Sequence, residues 1–157
     1  MNSFPFYRQP DAMDCGPTCL RMICRHHGKR VSLETLRHET QYGKDGVSML
    51  GMAEAAEKVG MRTKGVKISL KQLITDAPLP AVLHWDQYHF VVLVKIIRNK
   101  KFVIADPAKG MVTLSKDEFI GHWISTSNNE TNLGIALLLE PTAKFHEDAN
   151  PSLLERG

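Results

Sequence analysis

Apolar and polar positions follow one period in the first half of the chain and another in the second. Over residues 16–27, Leu20, Ile23, Cys24 and His27 form one helical stripe, and Cys15, Cys19 and Met22 form its neighbour. The pattern stops at Gly28, a natural residue just past a helix end. Ser32 opens a short second helix to about residue 39, and residues 41–47, with two glycines, read as a loop. Ser48 can cap a third helix carrying Met49, Met52, Ala53, Ala56 and Val59 at amphipathic spacing, with Gly60 ending it. Residues 62–68 alternate loosely and predict a strand. Ser69 and Gln72 then have the spacing of a capping box, opening a short helix that ends before Pro78.

The second half is β-rich. Residues 80–85 predict a short apolar strand, and 89–97 (His-Phe-Val-Val-Leu-Val-Lys-Ile-Ile) a long, buried one. Residues 98–100 make a hairpin turn, residues 101–105 return, and residues 106–110 loop into a further strand at 111–114. Ser115 and Glu118 predict a second capping box and a helix to about Trp123. Residues 125–132 read as a polar loop and 133–140 as a closing strand. From Pro141 the chain is polar and aperiodic. Helices first and antiparallel strands second predict an α+β domain at residues 1–140, with 141–157 as a linker or disordered tail.

Composition narrows the function classes. With 157 residues, a net charge of +3 and 24% charged residues, the chain fits a single ordinary globular domain. Its lysines and arginines are spread out, and no aromatic-interleaved basic stripe predicts nucleic-acid binding. No apolar run approaches a membrane span. The three cysteines, all within residues 15–24, suit a reducing compartment and match no structural zinc spacing. No metal or cofactor is expected; His84, Asp86 and His89 match no strong ligand pattern.

The candidate chemistry centres on Cys15. Alone, a cysteine at a helix start is more often a small buried residue than a nucleophile. The helix N-terminus nevertheless favours a thiolate. Asp14 could cap that helix, but its charge opposes a thiolate, so it should be capping or paired. A nucleophilic thiol needs a base and a group to orient that base. His89, at the mouth of the strongest strand, is the best of the seven histidines, and Asp106 ends the neighbouring strand. An even-numbered hairpin loop would put both on one face, roughly 5–8 Å apart between Cα atoms. An odd loop would separate them unless a bulge compensates. His26 and His27 end a helix, while His38, His122 and His146 have no evident partner. Gln9, six residues before the cysteine, can supply an amide donor to a developing oxyanion if the intervening loop folds back.

Together these residues resemble the double-glycine leader peptidases, papain-like cysteine peptidase domains of bacteriocin and peptide exporters. The matching pieces are Gln9-x-Asp11-x-x-Asp14-Cys15-Gly16, Leu20-x-Met22-Ile23, Asp45-Gly46-x-Ser48, His89-Phe90-Val91-Val92, Asp106-Pro107-Ala108-x-Gly110 and Leu114-Ser115-x-x-Glu118-Phe119. The resemblance implies Cys15 as nucleophile, His89 as general base and acid, Asp106 as its orienter and Gln9 in the oxyanion hole. It implies a precursor peptide cut after Gly-Gly or Gly-Ala, with an amphipathic helical leader docking on an apolar surface. Met49, Met52 and Ala53 are candidates for that surface, and equally for helix core. It also implies transmembrane and nucleotide-binding domains of an exporting ABC transporter as partners, ATP being bound only there, and a place at the cytoplasmic face of the membrane. The longer segment 124–133 departs from the family pattern. A non-catalytic docking module and a thioester acyltransferase are the competing readings. The cysteine argues against the first, and the short chain without a cofactor motif argues against the second.

Overall fold

The computed structural model describes residues 3–40, 48–127 and 132–147. Helices α1 (Cys15–His26), α2 (Leu33–Thr40) and α3 (Met49–Lys58) come first, then strand β1 (Met61–Ser69) and helix α4 (Leu70–Asp76). Strands β2 (Ala81–Trp85), β3 (His89–Ile97), β4 (Lys101–Asp106) and β5 (Gly110–Ser115) follow, then α5 (Lys116–Trp123), β6 (Ile124–Ser127), β7 (Asn132–Pro141) and α6 (Ala143–Glu147). The seven strands make one antiparallel sheet in the order β1-β7-β2-β3-β4-β5, with β6 paired to β7. This is the α+β architecture expected, with the nucleophile candidate at a helix start. The loop expected at 41–47, with Asp45 and Gly46, lies outside the described residues.

Local signals explain most of these elements. Ser48 accepts the Gly51 N–H, and both capping boxes form, at Ser69–Gln72 and Ser115–Glu118. Gly28, at φ 97°, ends α1 in a conformation that costs a glycine little.

The sheet is covered on both faces. Leu20, Ile23, Leu36, Met52 and Ala55 pack with Val82, Val92 and Leu137 on one side. Leu73, Phe119 and Trp123 pack with Leu83, Val91, Leu93 and Phe102 on the other. Burial on both faces is why β2 and the start of β3 read as continuous apolar runs rather than alternating ones.

Two segments differ from expectation. Residues 124–127, expected in a loop, form β6: Ile124 pairs with Gly134 and Ser127 with Asn132. Backbone groups make that ladder, so polar side chains do not forbid it. Trp123 anchors the hairpin by donating to the Ile135 carbonyl at 3.0 Å, and a Cβ on Gly134 would collide with its indole. The second difference is the tail. Residues 143–147 form α6, and Phe145 is buried in the main core. The Thr142 N–H donates to the Gly60 carbonyl, and Lys29 Nζ lies 4.7 Å from the Phe145 ring centroid. A single turn with one large apolar residue carries too short a period to be seen in the sequence.

Candidate active site

The first residue of α1 is Cys15, nine-tenths buried where the helix packs over the sheet. The earliest N–H groups of a helix have no partner within it, so those of Cys15 and Gly16 point out of the N-terminus. The preceding segment is folded tightly: Met13 N–H donates to Asp11 Oδ1 and Asp14 N–H to the Asp11 carbonyl, both at 3.0 Å. Asp14 occupies the N-cap position yet makes no side-chain cap. Its fully buried carboxylate is instead gripped by Arg37 of α2, Nε to Oδ1 at 2.8 Å and Nη2 to Oδ2 at 2.6 Å. Of the two roles expected for Asp14, pairing is the one realised. Arg37 escaped the sequence reading because nothing in its own segment points to residue 14.

His89 opens β3 and Asp106 closes β4, and their side chains meet, Nε2 to Oδ1, at 2.8 Å. The parity behind this has an unexpected origin. The hairpin loop is odd, with Ile97 paired to Lys101. A bulge then shifts the register between Leu93 and Lys95, so that Leu93 pairs with Ile104 and Val92 with Ala105. The bulge, not the loop, restores the odd-to-even pairing that the contact needs. Asp106 Oδ1 also accepts the Ala108 N–H at 2.9 Å, so the loop after β4 fixes the carboxylate.

The Cys15 thiol also acts on His89, so the imidazole responds to both Cys15 and Asp106. Burial alone would lower the basicity of His89. The hydrogen bond to Asp106 and the interaction with Cys15 outweigh it and raise the pKa to about 9. For Asp106 burial likewise works against ionisation, but His89 and the Ala108 N–H hold the carboxyl below its usual range. Cys19 is pushed well up by burial, then by Cys15 and Asp106; burial pushes Cys24 up to about 12 despite Lys29. Both sit in the core as expected.

Gln9 is tied to the same loop through its main chain, its N–H donating to the Pro107 carbonyl at 2.9 Å. Arg8 Nη1 reaches the Ala108 carbonyl, also at 2.9 Å. The loop following Asp106 thus holds the segment leading to the nucleophile. The Gln9 side chain turns onto its own segment, Nε2 donating to the Asp11 carbonyl at 3.0 Å. One amide N–H is therefore committed, and Oε1 is buried with no hydrogen-bond partner among the described residues.

The other candidates separate. Met52 is completely buried in the core, where it meets β-sheet side chains and no solvent; it is corrected from surface candidate to core residue. Met49 and Ala53 are half-buried at the margin of that core, next to the exposed Leu50. His84 tilts against Phe90, Asp86 pairs with His122 and His89 with Asp106, so the three do not converge on one point. His122, expected to lack a partner, thus has one: its Nδ1 lies 2.7 Å from Asp86 Oδ1. Those residues are 36 positions apart, and no local signal relates them.

Residues 3–131 match the family model described as the peptidase C39 family. The chain belongs to the peptidase C39 family. This is a family of cysteine peptidases, which fits a thiol and an imidazole–carboxylate pair at one place. Over 144 residues the chain is 34% identical to the colicin V secretion/processing ATP-binding protein CvaB of Escherichia coli, covering 92% of this chain and 19% of that protein. It is 30% identical over 141 residues to the lactococcin-G-processing and transport ATP-binding protein LagD of Lactococcus lactis, covering 87% and 19%. The C39 chain thus spans about a fifth of the length of these curated relatives. It is also similar to a crystal structure of a double glycine motif protease from an AMS/PCAT transporter in complex with the leader peptide. There the TM-score is 0.77 at 31% identity, covering 89% of this chain and 93% of that one. For the peptidase domain of Streptococcus ComA, a bifunctional ABC transporter involved in quorum sensing, the TM-score is 0.73 at 26% identity, covering 89% and 100%.

Proposed function

We propose that this C39 domain is a cysteine endopeptidase that cuts precursor peptides after a Gly-Gly or Gly-Ala pair, in step with their export. The observation that carries the reading is the imidazole of His89 hydrogen-bonded to Asp106 and interacting with the thiol of Cys15, the first residue of α1. In the proposed mechanism Cys15 passes its thiol proton to His89, and Sγ attacks the carbonyl carbon of the second residue of the pair. The oxyanion that forms is met by the Cys15 N–H and the uncommitted N–H of Gln9. With its pKa raised to about 9, His89 holds a second proton at neutral pH and delivers it to the leaving amine as the C–N bond breaks. The thioester is then hydrolysed: His89 takes a proton from water, the hydroxide equivalent adds to the acyl carbon, and the thiol departs with the leader's new carboxylate released. Asp106 keeps the imidazole oriented throughout.

Support for the substrate comes from the relatives, proteins of colicin V secretion and processing and of lactococcin G processing and transport, and from the leader-peptide complex of the similar protease. The leader's apolar helix face would meet Met49 and Ala53 beside exposed Leu50. Transmembrane and nucleotide-binding domains of an ABC exporter are the proposed partners, with the peptidase unit at the cytoplasmic membrane face. No helix among the described residues is long and apolar enough to cross a membrane.

Incubation with a Gly-Gly precursor tests the reading. The wild-type domain should release leader and cargo, Cys15→Ala and His89→Ala should release neither, and Asp106→Asn and Gln9→Ala should retain part of the activity. Equal cleavage by Cys15→Ala would end the proposal.

A further inference from the structure

The turn that presents His89 is held by a residue 36 positions further along the chain. Trp85 pairs with His89 across the β2–β3 turn, and Tyr88 N–H donates to the Trp85 carbonyl at 3.2 Å. Asp86 and Gln87, the two residues between, have φ of 53° and 66°. Two successive left-handed residues suit the right-handed twist of a hairpin, with Asn-Gly or Asp-Gly the usual pair. Asp86 fits the first position, but Gln87 stands where glycine is usual. Such a conformation persists when its surroundings over-determine it.

Those surroundings converge on one residue. Asp86 N–H donates to the His122 carbonyl at 2.9 Å, and His122 Nδ1–H donates to Asp86 Oδ1 at 2.7 Å. The His122 ring also stacks on the Trp85 indole, 4.9 Å between centroids at 8°. The indole is itself buried against Phe119 of α5. A single side chain near the end of α5 therefore touches two consecutive residues of the turn, three positions before His89.

We infer that His122 is a positioning residue for the site: through Asp86 and Trp85 it fixes the turn from which His89 projects toward Cys15 and Asp106. The inference rests on the reading that these three residues carry out the cleavage. The pair is partly exposed, with 39% of the His122 side chain and 34% of the Asp86 side chain accessible, so its contribution to global stability is small. Its effect is geometric. An imidazole displaced by about 1 Å from its working position can cost on the order of a hundredfold in rate. The groups that set His89's titration are Cys15 from α1 and Asp106 from β4, with Tyr88 beside it in the chain. Displacement weakens its interactions with the first two.

Three variants of the domain test this. His122→Ala removes donor and ring, His122→Phe keeps the stack on Trp85 without the donor, and His122→Asn keeps a donor where Nδ1 stood. Steady-state cleavage of a Gly-Gly precursor and an NMR titration of His89 are the readouts. The Ala and Phe variants should lose about tenfold in kcat with KM within about twofold, an intermediate share of the misplacement cost. His89 should titrate at lower pH in both, and Asn should restore most of each effect. An unchanged His89 titration in the Phe variant, a loss confined to KM, or an Asn variant no better than Ala would overturn the inference. If the wild type cuts no Gly-Gly precursor, the cleavage reading falls, and the titration still decides the role of His122.

Discussion

Asp14 and Arg37 form a two-pronged ion pair directly before the nucleophile candidate, with the carboxylate fully buried. The guanidinium compensates the charge of a carboxylate that burial has taken out of water. Removing one partner of such a pair strands the other charge. Arg37→Met should therefore destabilise the domain by about 3 kcal/mol, the lower end of the usual range because a third of the Arg37 side chain is accessible. Urea denaturation measures this. A change under about 1 kcal/mol would mean that Asp14 does not depend on Arg37.

The His89–Asp106 contact makes both activity and stability depend on pH. The folded pKa of His89 is raised from 6.5 to about 9. Its contribution to stability is thus fully present below 6.5 and lost as pH rises through about 9. Asp106, held below its ordinary 3.8, contributes above that value, and the contribution is lost as pH falls through the lowered folded pKa. The proposed proton delivery to the leaving amine also requires protonated His89. The kcat/KM profile should accordingly fall on its alkaline side with a midpoint near 9. A profile already falling at 6.5 would contradict that assignment.

The three thiols should react very differently. Cys15 retains some exposure at a helix N-terminus, whereas Cys19 and Cys24 are sealed in the core and held protonated by burial. Mass spectrometry after brief treatment with iodoacetamide should find the label on Cys15 alone. Comparable labelling of Cys19 or Cys24 in the folded protein would contradict the packing of α1.

The tail beyond β7 is proposed to belong to the domain as far as Phe145. Its ring is buried against the same cluster as α1 and α3, and Gly60 receives the chain closely enough that a Cβ there would strike the Phe145 backbone. Phe145→Ala should cost about 3–5 kcal/mol by thermal or urea unfolding. Catalytic parameters at low temperature should be unchanged, since the Phe145 ring lies by His27 and Lys29, past the end of α1 opposite Cys15. An unaltered melting temperature would return the segment to the linker.

Local signals in the sequence determined the helices with their caps, the apolar strands and the glycine that ends α1, because capping and periodicity act over a few residues. The resemblance carried by Gln9, Cys15, His89 and Asp106 named the family. What tertiary structure alone decided are pairings across long separations. These are Asp14 with Arg37, Asp86 with His122, the polar strand β6 with β7, and Phe145 with a core built mostly from the first half. Even the meeting of His89 and Asp106, foreseen by parity, depends on a bulge between Leu93 and Lys95 that offsets an odd loop. Strand register is set by packing on both faces of the sheet at once, and the one-dimensional pattern carries only which residues are apolar, not which neighbour each will face.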